Sequence, residues 1–183
     1  MEGKGKIQIG IIGDSKIQNK IQYDICYDIG NEIAQADAIL ICGGRGGVMA
    51  AACKGVYDAG GTSVGILPND ERDPEVNEYL TIKIPTFLHW ARNALVPLAS
   101  DGIIACGGGA GTLSELAFAS IHEKPLVCIS SIPGWSQEIG ERGFIDHRNP
   151  RYKIMTAKTG SEAVKKILDS VYGLNKEKSP DRD

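Results

Sequence analysis

Two short apolar runs, each closed by a cluster of glycines, constrain this chain more than any other feature of its sequence. The first is Ala38–Cys42, followed by Gly43-Gly44-Arg45-Gly46-Gly47. The second is Asp101–Cys106, followed by Gly107-Gly108-Gly109-Ala110-Gly111. A short continuous apolar run bounded by glycine reads as a strand buried on both faces, as in a parallel sheet covered by helices. A helical pattern follows each cluster, over Val48–Asp58 and over Thr112–His122. The same alternation extends along the chain, with strand patterns at Lys6–Ile12, Ser63–Leu67, Leu80–Ile84, Pro125–Ser130 and Tyr152–Thr156. Ile21, Ile25, Ile29 and Ile33 form a helical stripe through Ala36, and Pro85-Thr86 opens a helix predicted to reach Leu98. Ser161 is placed to cap a last helix ending near Tyr172, while Asn69–Glu78 and Ile132–Pro150 read as irregular segments.

These crossovers suit parallel connections, so the predicted fold class is α/β: a single-domain, doubly wound, Rossmann-like, mostly parallel sheet with helices on both faces. The domain is expected over residues 1–174, with a charged, disordered tail at 175–183. A length of 183 residues suits one such domain. Glycine, at 23 residues against a usual ~7%, is clustered and not periodic, which excludes collagen-like and linker readings.

Composition narrows the function classes. Aromatic residues are only 6% of the chain, too few for the stacking platforms of single-strand nucleic-acid binders. The net charge of −3 provides no basic field, so neither nucleic acid nor membrane is expected as a partner. The five cysteines, Cys26, Cys42, Cys53, Cys106 and Cys128, show no CxxC spacing, so no metal site is expected. They suit a reducing cytoplasm, where a free thiol serves as a small buried hydrophobe.

Chemistry is expected at the two glycine loops. Glycine adopts left-handed backbone and lets a ligand approach the main chain closely, and the helix that follows presents free N–H groups to an anion. The alternative at each loop is tight strand–helix packing. Both loops open at the carboxyl edge of one sheet, so a phosphate-bearing ligand is predicted to span them. Its binding residues are expected to be Gly13, Ser15, Gly43, Gly44, Gly46, Gly47, Val48, Met49, Asn93, Gly108, Gly109, Ala110, Gly111 and Thr112. Amides near Gly46–Gly47 and Gly109–Thr112 should hold the anion, and Thr112 is placed to cap its helix. Glu115 is expected in the first helical turn, where the dipole favours its ionised form, and Arg92 from the preceding helix suits a phosphate or that carboxylate. His89 has the option of facing the site; His122 and His147 lack a partner at metal-ligand spacing. Trp135 is left open between a lid and an edge plug.

Taken together and in order, GGRGGVM, Gly60-Gly61…Gly65-Ile66-Leu67-Pro68, Ala91-Arg92-Asn93 and GGAGTLSE resemble one superfamily over about residues 6–172. It contains the Lonely Guy phosphoribohydrolases (often labelled lysine decarboxylase-like), the molybdenum-cofactor carrier proteins and, more distantly, the DprA/Smf proteins. The hydrolase motif GGxGTxxE falls on Gly108, Gly109, Gly111, Thr112 and Glu115, and its functional arginine falls on Arg92. On that branch the resemblance implies hydrolysis of the N-glycosidic bond of a nucleoside 5′-monophosphate, with Arg92 and Glu115 catalytic. The chain departs from it with Arg92-Asn93 for Arg-Lys and Gly107-Gly108-Gly109 for Pro-Gly-Gly, and in this it looks more like the carrier branch. That branch implies a bound phosphorylated small molecule, a nucleoside monophosphate or a molybdopterin-type cofactor, with no cofactor required for chemistry. The resemblance also implies a homo-oligomer, with Phe87, Leu88 and Trp90 as candidate interface residues.

Overall fold

Neighbouring residues of each central strand go to opposite faces of the sheet, and on both faces they are apolar. In the computed structural model, which describes residues 5–177, Ile9, Ile11, Leu40, Cys42, Ile104 and Cys106 enter one core. Ile12, Ile41, Ile103 and Ala105 enter the other. This two-sided burial is why the strands read as unbroken apolar runs. The strands are β1 (Gln8–Gly13), β2 (Ile39–Cys42), β3 (Thr62–Leu67), β4 (Ile82–Pro85), β5 (Gly102–Cys106), β6 (Leu126–Ile129) and β7 (Met155–Ala157). They form one 7-stranded sheet in the order β4-β3-β2-β1-β5-β6-β7, every neighbouring pair parallel. Helices α1 (Lys20–Gln35), α2 (Val48–Asp58) and α6 (Gly160–Glu177) cover the first face; α3 (Leu95–Leu98), α4 (Ala110–Ile121) and α5 (Trp135–Arg142) cover the second. The architecture is the doubly wound, Rossmann-like α/β fold. Strand order reverses between β1 and β5, which pair directly, and the segments leaving them part to opposite faces and open a crevice.

Helices α1 and α2 meet backbone to backbone. A Cβ at Gly30 would run into the Ala52 carbonyl, and one at Gly55 into the Tyr27 carbonyl. The α1 stripe buries Cys26, Ile29 and Ile33, whereas Ile21 is 64% exposed and lies outside it.

Four segments differ from the sequence-based expectation. Residues 85–98 are not one helix. Phe87 and His89 adopt left-handed backbone (φ 57° and 49°), a 3-10 helix follows over His89–Ala94, and α3 is a single turn. The cause is competition for hydrogen bonds. The Thr86 hydroxyl and the His89 N–H donate to the Leu67 and Pro68 carbonyls at 2.7 and 3.0 Å, tying the segment to the end of β3. Second, the span 132–150 contains α5, which begins after Gly134 and ends at left-handed Gly143, with Trp135 and Ile139 packed on the second core. Third, β7 starts at Met155 because Tyr152 is engaged elsewhere, its hydroxyl donating to the Lys124 carbonyl at 2.8 Å. Finally, α6 starts at Gly160. The Thr159 hydroxyl accepts from the Glu162 N–H at 3.3 Å in the capping role assigned to Ser161, whose own N–H donates to Asp28. Of the expected tail, residues 175–177 continue α6 and 178–183 lie outside the described residues.

The backbone contact between α1 and α2 makes a direct prediction. Gly30→Ala and Gly55→Ala should each lower unfolding free energy by about 1–3 kcal/mol, the usual cost of overpacking. Gly173→Ala, where a Cβ meets open space on α6, should be neutral or stabilising. Urea denaturation of the three variants checks this; equal stability of all three would contradict the close contact.

Candidate functional site

The carboxyl ends of β1, β2, β3 and β5 surround a cavity of about 420 Å³. Gly13, Asp14 and Ser15 enter it from the turn after β1, Arg45 and Met49 from the first glycine loop and α2, and Asn69 from the chain after β3. The 3-10 helix contributes His89, Trp90, Arg92 and Asn93, and the second glycine loop with α4 contributes Gly109, Gly111, Thr112 and Glu115.

An arginine and a carboxyl side chain are buried together in the cavity. The Arg92 and Glu115 side chains are only 8% and 10% exposed, with Nη1 3.8 Å from Oε1, an ion pair too long for a hydrogen bond. Arg92 Nε is buried without any partner. Burial pushes the Glu115 carboxyl up to about 8, and the nearby guanidinium pulls it only partly back. Burial also lowers the Arg92 pKa, but an arginine stays charged in proteins. Burial thus favours the neutral form of the acid beside the guanidinium, and with Nε unpartnered the cavity holds a cation without full compensation. This corrects the expectation for Glu115. It lies in the second turn of α4, beyond the reach of the helix dipole, and desolvation governs its charge.

The glycines sort into two groups. A Cβ at Gly43 would strike the Arg92 guanidinium, at Gly44 the Leu67 side chain, at Gly47 the Asp14 carbonyl and at Gly108 the Thr112 side chain. Gly44, Gly47, Gly107 and Gly108 also have left-handed φ. Gly44, Gly47, Gly107 and Gly108 are required by the fold, whereas Gly43 leaves room for the Arg92 side chain. Gly109 and Gly111 are different: a Cβ at Gly109 meets nothing within 4 Å, and one at Gly111 meets only Asn93 and Trp90, both at 3.6 Å. Neither has a left-handed φ, so the fold does not demand glycine at either position. They line the cavity at the start of α4, where the first N–H groups of a helix lack intrahelical partners.

Of the other expected binding residues, Gly13, Ser15, Met49, Asn93 and Thr112 line the cavity; Gly43, Gly44, Gly46, Gly47, Val48, Gly108 and Ala110 do not. The Val48 side chain is in the core and its N–H donates to the Asp14 carbonyl at 2.9 Å, so it has nothing left for a ligand. Asn93 donates to Ser114 Oγ at 3.0 Å, and Ser114 in turn donates to the Gly111 carbonyl at 2.6 Å, bracing the start of α4. Thr112 is the third residue of α4 and not its cap.

Sequence reasoning missed the residues that hold the loops in place. The Ser136 hydroxyl accepts from Gly107 N–H at 2.7 Å and donates to the Ile129 carbonyl at 2.9 Å, and the Trp135 N–H donates to the Gly108 carbonyl at 3.0 Å. Trp135 packs on the second core and does not line the cavity. The Asp14 carboxylate accepts from Gln18 and Gln22, both at 2.7 Å, beneath Gly107. Arg45 pairs with Glu75 and, at 3.6 Å, with Asp73, while Asn77 Nδ2 donates to the Arg45 carbonyl at 3.1 Å. The acidic segment after β3 thus straps the first loop. Asn69 donates to Asp73 at 3.1 Å, which leaves its Oδ1 buried and unpartnered. Such an acceptor suits a hydroxyl or amino group on a ligand. Cys42 and Cys106 are wholly buried in the core, with Cys42 Sγ 3.6 Å from Cys53 Sγ, so neither thiol reaches the cavity.

Fold and site together define a Rossmann-like protein with a cation-floored cavity at the carboxyl edge of its sheet. The chain belongs to the SLOG cluster4 family, whose model matches residues 6–164. It is 30% identical to the cytokinin riboside 5′-monophosphate phosphoribohydrolase LOG4 of Arabidopsis thaliana, over 85% of this chain and 78% of that protein. It is also similar to the molybdenum cofactor binding protein of Rippkaea orientalis, with a TM-score of 0.77 and 30% identity over 94% of this chain and 99% of that one. DNA processing protein A of Helicobacter pylori, at 18% identity and TM-score 0.64 over 93% of this chain and 81% of that one, shares the fold. Among the described residues, no helix is long and apolar enough to cross a membrane.

The buried acid carries a pH signature. Its folded value of about 8 lies above the ordinary 4.5, so its contribution to stability is complete below about 4.5 and is lost as pH rises through about 8. Chemical denaturation between about pH 5 and pH 9 should show the wild type losing stability relative to Glu115→Gln as pH rises. A constant difference across that range would place the Glu115 pKa near its ordinary value.

Proposed function

We propose that the chain binds a phosphorylated small molecule, a nucleoside monophosphate or a molybdopterin-type cofactor, and acts as its carrier. The observation that carries this reading is the buried Arg92, with an unpartnered Nε, lining the same cavity as a helix start whose glycines leave room for an anion. A phosphate there would receive hydrogen bonds from the guanidinium and from the free N–H groups of α4. Its negative charge would further disfavour ionisation of Glu115, so the ligand and the neutral acid are compatible in one site.

The second reading is a phosphoribohydrolase, favoured by the similarity to LOG4 and by the presence of both Arg92 and Glu115 in the cavity. Hydrolysis of an N-glycosidic bond needs a group that stabilises positive charge at the anomeric carbon or activates water. A carboxyl that burial raises to about 8 suits protonation of the departing base better than either of those roles. Asn93, where the hydrolases have lysine, is engaged with Ser114.

We also propose a homo-oligomer in the cytoplasm. The edge strand β4 and the segment after it expose Ile82, Ile84, Phe87 and Leu88 together, the kind of apolar patch that marks an interface. Sedimentation of a monomer at micromolar concentration would overturn that part.

Incubation with AMP separates the two functional readings. The carrier reading expects AMP to bind without release of adenine above background. Gly111→Val should remove binding, by at least about tenfold, while leaving the unfolding midpoint close to wild type, since its Cβ points into the cavity and not into the fold. Steady adenine release that disappears in Glu115→Gln would establish the hydrolase instead.

A further inference from the structure

The largest exposed aromatic side chain of the chain stands at the rim of this cavity. Trp90 is 80% exposed and lines it, with ring atom Cζ3 3.6 Å from the position of a Cβ on Gly111. The indole therefore lies beside the start of α4, where the phosphate-binding reading puts the anion. Trp135, the other tryptophan, is packed on the second core. An indole exposed at the mouth of a cavity is placed to meet a flat group that enters it.

The backbone that presents it is strained. Phe87 and His89 both have left-handed φ, 57° and 49°, conformations that cost side-chain-bearing residues energy and that cluster at ligand clamps. The tie of Thr86 and His89 to the end of β3 holds this arrangement. Two residues after Trp90, on the same 3-10 helix, Arg92 is buried in the cavity. One short element thus places a cation at the floor and a flat ring at the rim. The cavity, about 420 Å³, falls in the range of sites for whole small ligands and exceeds the needs of a lone anion.

We propose that Trp90 is the stacking platform for the ring of the ligand, so that the site takes phosphate esters carrying a flat fused heterocycle. This rests on the phosphate-binding reading of the same cavity and adds the ring-recognising residue to it. Stacking is tolerant of ring identity because every such ring has a π-face, so the platform selects the class and not one base.

The test compares AMP with ribose 5-phosphate, the same phosphoribose without the ring, on wild type, Trp90→Ala and Trp90→Phe. Calorimetry, tryptophan emission and sedimentation are recorded on the full chain. Wild type should bind AMP about tenfold or more tightly than ribose 5-phosphate. Trp90→Ala should lose that preference, chiefly through weaker AMP binding, and Trp90→Phe should keep most of it. AMP should quench the emission of wild type and not that of Trp90→Phe. If Trp90→Ala keeps the full preference for AMP, the platform is disproved. That result accompanied by dissociation of an oligomer would assign Trp90 to contact with a second copy of the chain. If wild type prefers neither ester but binds both, the ring has no platform, while binding of neither overturns the phosphate reading itself and this proposal with it.

Discussion

The guanidinium of Arg92 lies directly over Gly43, and much of the site follows from that burial. A charge removed from water costs several kcal/mol unless it is paired and hydrogen-bonded. Here the compensation is incomplete: Glu115 stands 3.8 Å away and Nε has no partner. The first glycine loop must lack a side chain at Gly43 to admit the group, the 3-10 helix must deliver it, and α4 must supply the acid. Three elements from separate parts of the chain thus meet around one cation. The under-compensated charge is a standing demand for an anion, which a phosphate would meet.

The two kinds of glycine explain why the loops look alike in sequence yet differ in role. The first loop is packed tightly at Gly44 and Gly47, against Leu67 and the turn after β1, where no side chain fits, while Gly43 leaves room for the Arg92 guanidinium. The second loop divides. Gly107 and Gly108 turn the chain under left-handed φ and are strapped by Ser136 and Trp135, whereas Gly109 and Gly111 leave open space on the cavity side. Room that the fold does not use is the better sign of a ligand than glycine content alone.

Much of this was legible in the sequence, because the central strands are buried on both faces and therefore print as continuous apolar runs. Ala38–Cys42 and Asp101–Cys106 differ from β2 and β5 only at their first residues. Arg92, Glu115 and the second glycine loop were found from motif and spacing. What was not legible depends on long-range contacts. The segment 85–98 carries a helical apolar pattern, but ties from Thr86 and His89 to the end of β3 break it. Helix α5 was hidden between Pro133-Gly134 and Gly143, and its packing comes from Trp135 and Ile139 on a distant sheet surface. Sequence position places Glu115 near the helix dipole, whereas the desolvation that raises its pKa exists only in the folded chain, where the residue lies in the second turn of α4.

The central claim is that an anion sits at the start of α4 against Arg92. Diffraction from crystals grown with AMP tests it most directly. The account predicts the phosphate within hydrogen-bond distance of Arg92 and of the amides at Gly111 and Thr112. A well-ordered AMP bound elsewhere, with that position left to solvent, would contradict it.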